Sequence, residues 1–306
     1  MSDIKIFKLN GDKVSEIEGT SSDIEKSLQT LIESHLETFF GIRFLASEYG
    51  TGKVHGGRID SLGIDENGCP VIIEYKRTVN ENVINQGLFY LDWLMDHKAE
   101  LKLLVLERLD NEAAAAIAWS NPRLLCIAGD FTKYDTHAVG QMNRNIELIR
   151  YRLYGKDLIL FELVNAVTSD KVEVVGSNKK KKGKTVYKTV SEFLAQSDDE
   201  LKELFETVKN YLMALGDDVQ LKTMLYYFAF KRIKNFACIE VHPTAQKLLV
   251  FAKVDPDSID VENNKGFLRD VRKIGHFGTG DLEITISSKE DFEKAKFLFF
   301  KSYELS

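Results

Sequence analysis

Four consecutive lysines break the chain in two. Gly176-Ser177-Asn178-Lys179-Lys180-Lys181-Lys182-Gly183-Lys184 holds no apolar side chain. Like charges in such a run repel one another, and neither a helix nor a strand can bury a face built from it. The run reads as an exposed basic linker over 176–188, with one domain at 1–175 and a second at 189–306. A chain of 306 residues is long enough for two domains at roughly 150 residues each. Residues 1–175 carry 19 basic and 27 acidic side chains, a net of −8, whereas residues 176–306 carry 22 and 20, a net of +2. The second part is therefore the more cationic. No internal repeat relates the two.

Composition closes off several classes. With 44% hydrophobic residues the chain has enough apolar side chain for buried cores, which excludes global disorder. No apolar run approaches the roughly 20 residues of a membrane span. Met1-Ser2-Asp3-Ile4-Lys5 turns charged at once and lacks a signal core. Cys69, Cys126 and Cys238 are odd in number and far apart, which excludes a disulfide framework and a CxxC zinc site. A reducing cytoplasm and no membrane partner are the expectations. The net charge of −6 excludes little, because a local basic patch can still guide a nucleic acid.

The first part mixes strands and helices. Ile4–Leu9 reads as a weak strand. Ser22 with Glu25 forms a capping-box pattern ahead of Ile24, Leu28, Leu31, Ile32 and Leu36 at helical spacing, and Gly41 supplies a stop. Residues 58–65 and 71–76 read as hairpin strands around Asn67-Gly68. A helix is expected from Glu81 to His97, and another at Ala113–Trp119. Strands are expected at Leu101–Leu106, Leu124–Ala128, Ile146–Tyr151 and Leu158–Leu163. In the second part, Ser197 with Glu200 reads as a helix start running to Gly216. Strands at Leu225–Phe230, Phe236–Val241, Leu248–Val254 and Leu282–Ile286 precede a last helix at Lys289–Tyr303. The expected fold class is α/β followed by a smaller α+β domain.

The chemistry concentrates in Gly57-Arg58-Ile59-Asp60 and Val71-Ile72-Ile73-Glu74-Tyr75-Lys76. Strand alternation turns Glu74 and Lys76 to one face of a buried strand. Charges there are costly unless paired or bound. Asp60, on the neighbouring hairpin strand, can join them. Two carboxylates and a lysine on one sheet face form a hard-oxygen site for Mg²⁺ or Mn²⁺. A symmetric two-residue turn at Asn67-Gly68 would pair Asp60 with Tyr75 and turn it to the wrong face, so the site requires an odd-numbered or bulged loop. Gln86 and Tyr90 follow at i,i+4 spacing on one helix face.

This pattern resembles the PD-(D/E)xK nuclease superfamily. The match consists of Asp60, then Glu74-Tyr75-Lys76, then Gln86 and Tyr90 in the Q-x-x-x-Y arrangement of its RecB-like branch. The run through Glu25, Glu48-Tyr49, Gly57-Arg58-Ile59-Asp60 and Glu74-Tyr75-Lys76-Arg77 is similar to NucS-like endonuclease domains, over roughly residues 20–165. The resemblance implies a restriction-endonuclease-like mixed sheet flanked by helices. It implies that Asp60, Glu74 and the Tyr75 carbonyl hold the metal, that Lys76 positions the attacking water, and that Gln86 and Tyr90 brace the site. Glu25 would complete the metal site, with Glu33 and Glu48 as rivals. The implied activity is metal-dependent hydrolysis of DNA phosphodiester bonds, in repair or phage defence, with a homodimer as the form that would cut both strands. The alternative is a non-catalytic nucleic-acid-binding or interaction protein on the same fold, with Asp60, Glu74 and Lys76 as an ion-pair cluster.

Residues 185–306 resemble the DUF5655 type of domain. The shared marks are Tyr226-Tyr227-Phe228-Ala229-Phe230-Lys231, Asn235-Phe236-Ala237, Arg269-Asp270-Val271 and Gly275-His276-Phe277-Gly278-Thr279-Gly280-Asp281. A cationic surface of Lys231, Arg232, Lys234, Arg269, Arg272, Lys273 and His276 is expected to attract phosphates. Phe228, Phe230 and Phe236 read as sheet core.

Overall fold

A computed structural model describes residues 4–20, 26–76, 83–167 and 188–306. Glu25, the capping-box pattern beginning at Ser22 and the lysine-rich segment lie outside these residues. The chain divides into two compact units, Met1–Asp170 and Lys171–Ser306.

The first unit begins with β1 (Ile6–Asn10) and β2 (Lys13–Ile17), a two-stranded ribbon, and the short β3 (Gly19–Thr20). Then come α1 (Lys26–Ser34), α2 (Leu36–Phe40), β4 (Ile42–Gly50), α3 (Gly52–His55), β5 (Arg58–Asp65) and β6 (Pro70–Lys76). Next are α4 (Val83–Asp96), α5 (Lys98–Arg108), α6 (Asn111–Ala115), β7 (Arg123–Ala128), α7 (Lys133–Gly140), β8 (Asn145–Tyr154) and β9 (Leu158–Val167). The main sheet has the order β3-β8-β7-β6-β5-β4, with β9 also paired to β8. Strands β4, β5 and β6 form an antiparallel meander, and β6, β7 and β8 run parallel. The helices between β6 and β7 supply the crossover that parallel pairing requires.

Alternation sorts the sheet residues. Leu62, Ile64, Ile72, Leu124, Cys126, Ile146 and Leu148 pack with Ile84, Leu91 and Leu94 of α4 and with Leu101 and Val105 of α5. Ser61 and Tyr75 take the opposite face, where the Ser61 hydroxyl meets both Glu33 of α1 and the Tyr75 hydroxyl. The unit is thus a mixed sheet flanked by helices.

The β5–β6 hairpin closes through Glu66, Asn67 and Gly68. Asp65 N bonds to Cys69 O at 2.9 Å, and Gly68 is left-handed at φ 75°. Asp65 governs this loop. Its Oδ1 accepts from Asn67 N at 2.9 Å and Cys69 N at 2.8 Å. Its Oδ2 meets Arg123 Nη1 at 2.7 Å. Arg123 also makes two 2.8 Å bonds to Glu147. All three side chains are buried, so the cluster ties the hairpin end to β7 and β8.

The second unit comprises α8 (Val190–Gln196), α9 (Asp199–Met213), β10 (Gln220–Thr223), β11 (Phe228–Lys231), β12 (Asn235–His242), β13 (Lys247–Ala252), β14 (Leu268–Asp270), β15 (Leu282–Ile286) and α10 (Lys289–Glu304). Its sheet is antiparallel, with the order β10-β11-β12-β13-β15-β14. Leu201, Leu204, Phe205, Val208 and Leu212 of α9, and Phe292, Ala295, Leu298 and Phe299 of α10, pack against Ala237, Ile239, Val241 and Val250. Phe228, Phe230 and Phe236 belong to this core.

Two local expectations are corrected. Leu101–Leu106 is helical, not a strand. Leu101 and Val105 are buried while Leu103 and Leu106 are exposed, which is the four-residue spacing of a helix face. Ser197 does not start α9; it ends α8, donating its hydroxyl to Phe193 O. Asp198 caps α9 instead, accepting from Leu201 N at 2.9 Å. Strands β4 and β10 and helix α7 were not among the expected elements. Among the described residues no helix is long and apolar enough to cross a membrane.

Candidate active site

The three-residue loop fixes the hairpin register. Ser61 pairs with Ile73 and Leu62 with Ile72, so the register carries Asp60 to the level of Glu74. The backbone ladder between β5 and β6 ends at Ser61, while β6 stays paired with β7 as far as Lys76 and Ala128. The strands fork there, and side chains continue the pairing. Asp60 N donates to Glu74 Oε1 at 3.2 Å, and Tyr75 N donates to Asp60 Oδ2 at 3.0 Å.

A third carboxylate stands level with these two. Glu48 lies between the pairs Ser47–Ser61 and Tyr49–Ile59, and so opposite Asp60. It is left-handed at φ 53°, a conformation rare in residues with a Cβ. Its Oε2 is buried without a hydrogen bond, though it forms an ion pair with Arg58 Nε at 2.5 Å. Glu33 sits on the other face. It accepts from Ser61 Oγ at 2.6 Å and from Gln29 Nε2 at 2.9 Å, and Gln29 also reaches the Asp60 carbonyl.

Glu74 is 1% exposed. Burial, then repulsion from Asp60 and a smaller one from Glu48, push its carboxyl up to about 9, against a bond from Asp60 N that favours ionisation. It is therefore protonated at neutral pH unless a cation compensates. Burial also raises the Tyr75 phenol.

Gln86 and Tyr90 meet as expected. Gln86 Nε2 donates to Tyr90 Oη at 3.1 Å, and Arg58 N donates to the same oxygen at 3.1 Å. Tyr90 is buried and therefore holds the backbone two residues before Asp60. A Cβ at Gly57 would stand 2.5 Å from the Tyr90 ring, so this contact requires glycine. The backbone of Lys76 is in register with Ala128; its side chain is outside what is described.

The donor set is all carboxylate oxygen, which suits Mg²⁺ or Mn²⁺. The raised Glu74 carboxyl favours a cation, whereas Glu48 already has one in Arg58. Even so, among the described residues no group of three or more His, Cys, Asp or Glu side chains is arranged to hold a metal ion. The hydrogen bonds account for this. Asp60 and Glu74 each give an oxygen to the backbone across the fork, and Arg58 draws on Glu48.

Of the cationic surface expected on the second unit, Lys231 is corrected, and several of the others have carboxylate or aromatic neighbours. Lys231 is 2% exposed, inside the sheet beside a register shift between Phe230 and Lys231. Arg272 is held by Asp257, Asp270 and Asp255, three carboxylates to one guanidinium. Arg232 pairs with Asp218 at 2.7 Å and lies over the Tyr303 ring. Arg269 stands 3.7 Å from Glu283, and His276 stacks on Phe251 at 4.2 Å. Lys234 is half-buried and Lys273 exposed. Counting charges along a sequence does not show which are already neutralised by neighbours.

Residues 190–306 match the family described as a domain of unknown function, DUF5655. An uncharacterized protein of Haemophilus influenzae is 28% identical over 303 residues, covering 95% of this chain and 96% of that protein. The likeness therefore spans both units. No solved structure matches.

Proposed function

We propose that the first unit is a metal-dependent endonuclease of the PD-(D/E)xK type, hydrolysing phosphodiester bonds of DNA. The observation that carries the reading is the hairpin register, which leaves Asp60, Glu74 and Glu48 level with one another across β5, β6 and β4. A mixed sheet flanked by helices is what this resemblance implies, and the Gln86–Tyr90 pair supports it. Asp60, Glu74 and the Tyr75 carbonyl would hold the ion, and Glu48 is the better placed of the described rivals to complete the set. A cation held there would lower the pKa of water and stabilise charge on the phosphoryl oxygens. Lys76, two residues beyond Glu74, orients the water. Tyr90 fixes the Arg58–Asp60 backbone.

The test is digestion by the full-length protein of duplex, single-stranded, mismatched and branched DNAs with Mg²⁺ or Mn²⁺. Cleavage that EDTA abolishes and Glu74→Gln loses is the expected result. Metal-independent cleavage, or none on any substrate together with no metal binding, overturns the reading in favour of a non-catalytic binding protein.

A further inference from the structure

The second unit sets an exposed phenylalanine ring against a half-buried tyrosine, on a loop that its own core holds in place. Phe277 is 51% exposed, and its ring centroid lies 4.5 Å from that of Tyr226 at 34°. Leaving a phenylalanine so placed forgoes its burial energy. The loop carrying it is nonetheless anchored. Gly278 is left-handed at φ 83°, and a Cβ there would stand 2.6 Å from that of Cys238. Thr279 N donates to Cys238 Sγ, and Asp281 N bonds to Ala252 O. Phe277 N donates to Glu240 Oε1 at 3.2 Å.

The rings border a cavity of about 490 Å³ that also includes Phe193, Glu240, His242 and Lys188. Alternation along β12 puts Ala237, Ile239 and Val241 into the helical core and Glu240 and His242 on the other face. The Glu240 side chain is only 13% exposed, and its Oε2 stands 2.9 Å from His242 Nε2. Each carboxylate oxygen keeps a further lone pair.

These features define an occupant. A hydrocarbon would cover Glu240 without compensating it, which is costly. The ligand must bring N–H donors to Glu240 and a flat face to the rings. An arginine side chain has both but brings nothing for Lys188, which lines the same cavity with its ammonium on Gln196, whereas a ligand that also carries an anionic group does. We propose that this cleft binds a nucleobase, its ring on Phe277 and Tyr226, its N–H edge on Glu240 and its phosphate toward Lys188. Guanine, with adjacent ring and exocyclic N–H groups, fits a carboxylate best. The proposal is independent of the reading of the first unit.

The ligand source is either a free nucleotide or an unstacked base within a single strand. Calorimetric titration of the full-length protein with GMP, AMP, short oligo(dG) and oligo(dT), and an arginine-containing peptide separates the cases. Binding of GMP identifies a nucleotide site; binding of oligo(dG) alone identifies a strand-binding site; either supports the proposal. Phe277→Ala, a change at an exposed ring, is expected to weaken binding about ten-fold or more. Glu240→Gln is expected to erase the preference for guanine while retaining an acceptor for Phe277 N. No saturable binding of any base-containing probe at millimolar concentration, binding unchanged in Phe277→Ala, or binding of the peptide alone overturns it.

Discussion

Replacing Glu74 with glutamine should stabilise the metal-free protein at neutral pH, although the residue is proposed to be essential. The fold raises the Glu74 carboxyl from an ordinary 4.5 to about 9. A carboxyl raised in the fold favours the state that keeps its proton. Its contribution is complete below pH 4.5 and fades as pH climbs toward 9, because the unfolded chain ionises freely over that window. The slope is about 1.4 kcal/mol per pH unit, so by pH 7.5 the wild type has lost about 4 kcal/mol. Glutamine is isosteric with the protonated acid, still accepts from Asp60 N and does not titrate. Both tryptophans, Trp93 and Trp119, lie in the first unit, so urea unfolding followed by their fluorescence reports on that unit. In EDTA, wild type and Glu74→Gln should agree near pH 4.5 and diverge as pH rises, the variant gaining about 4 kcal/mol at pH 7.5. Adding Mg²⁺ should restore the wild type alone. Parallel pH profiles for the two proteins would refute the claim that Glu74 is buried against its own ionisation.

If the proposed reading holds, Lys76→Met is expected to abolish cleavage while leaving calorimetric metal binding nearly unchanged, because that reading assigns the lysine to the water rather than to the ion. Arg123→Met leaves Asp65 and Glu147 buried without their shared cation, and the urea midpoint should fall by the equivalent of about 3–5 kcal/mol. Tyr90→Phe strips the acceptor from Arg58 N and should cost about 1–3 kcal/mol in the same assay, with cleavage reduced as the Asp60 backbone loosens.

Much of the arrangement of the candidate site could be read from the chain because strand parity is a local property. Glu74 and Lys76 share a face in any strand, and Gln86 and Tyr90 share one in any helix. The side of Asp60 was not readable, since it depends on whether the loop holds two residues or three, and Asn67-Gly68 permits either. Strand β4 was hidden by its register shift between Phe44 and Ala46, which breaks the alternation, so Glu48 was placed only as a rival of Glu25. The arginine residues of the second unit were misleading for another reason. Their partners, Asp218, Asp255, Asp257 and Glu283, come from distant turns and strands.

The two oxygens of Asp65 give the hairpin a remote governor. One accepts from the Asn67 and Cys69 amides and so holds the three-residue conformation of the loop, and the other anchors that loop to Arg123. Five residue steps along the strand, about 17 Å, separate this carboxylate from Asp60. A turn shortened by one residue would rotate Asp60 to the side of Ser61 without replacing any of the proposed metal ligands. An activity screen of acidic residues would then score Asp65 beside Asp60 and Glu74, and mistake a geometric latch for a ligand. Insertions at this turn would be tolerated in pairs and lethal singly, a parity rule that applies to the length of a loop rather than to its composition.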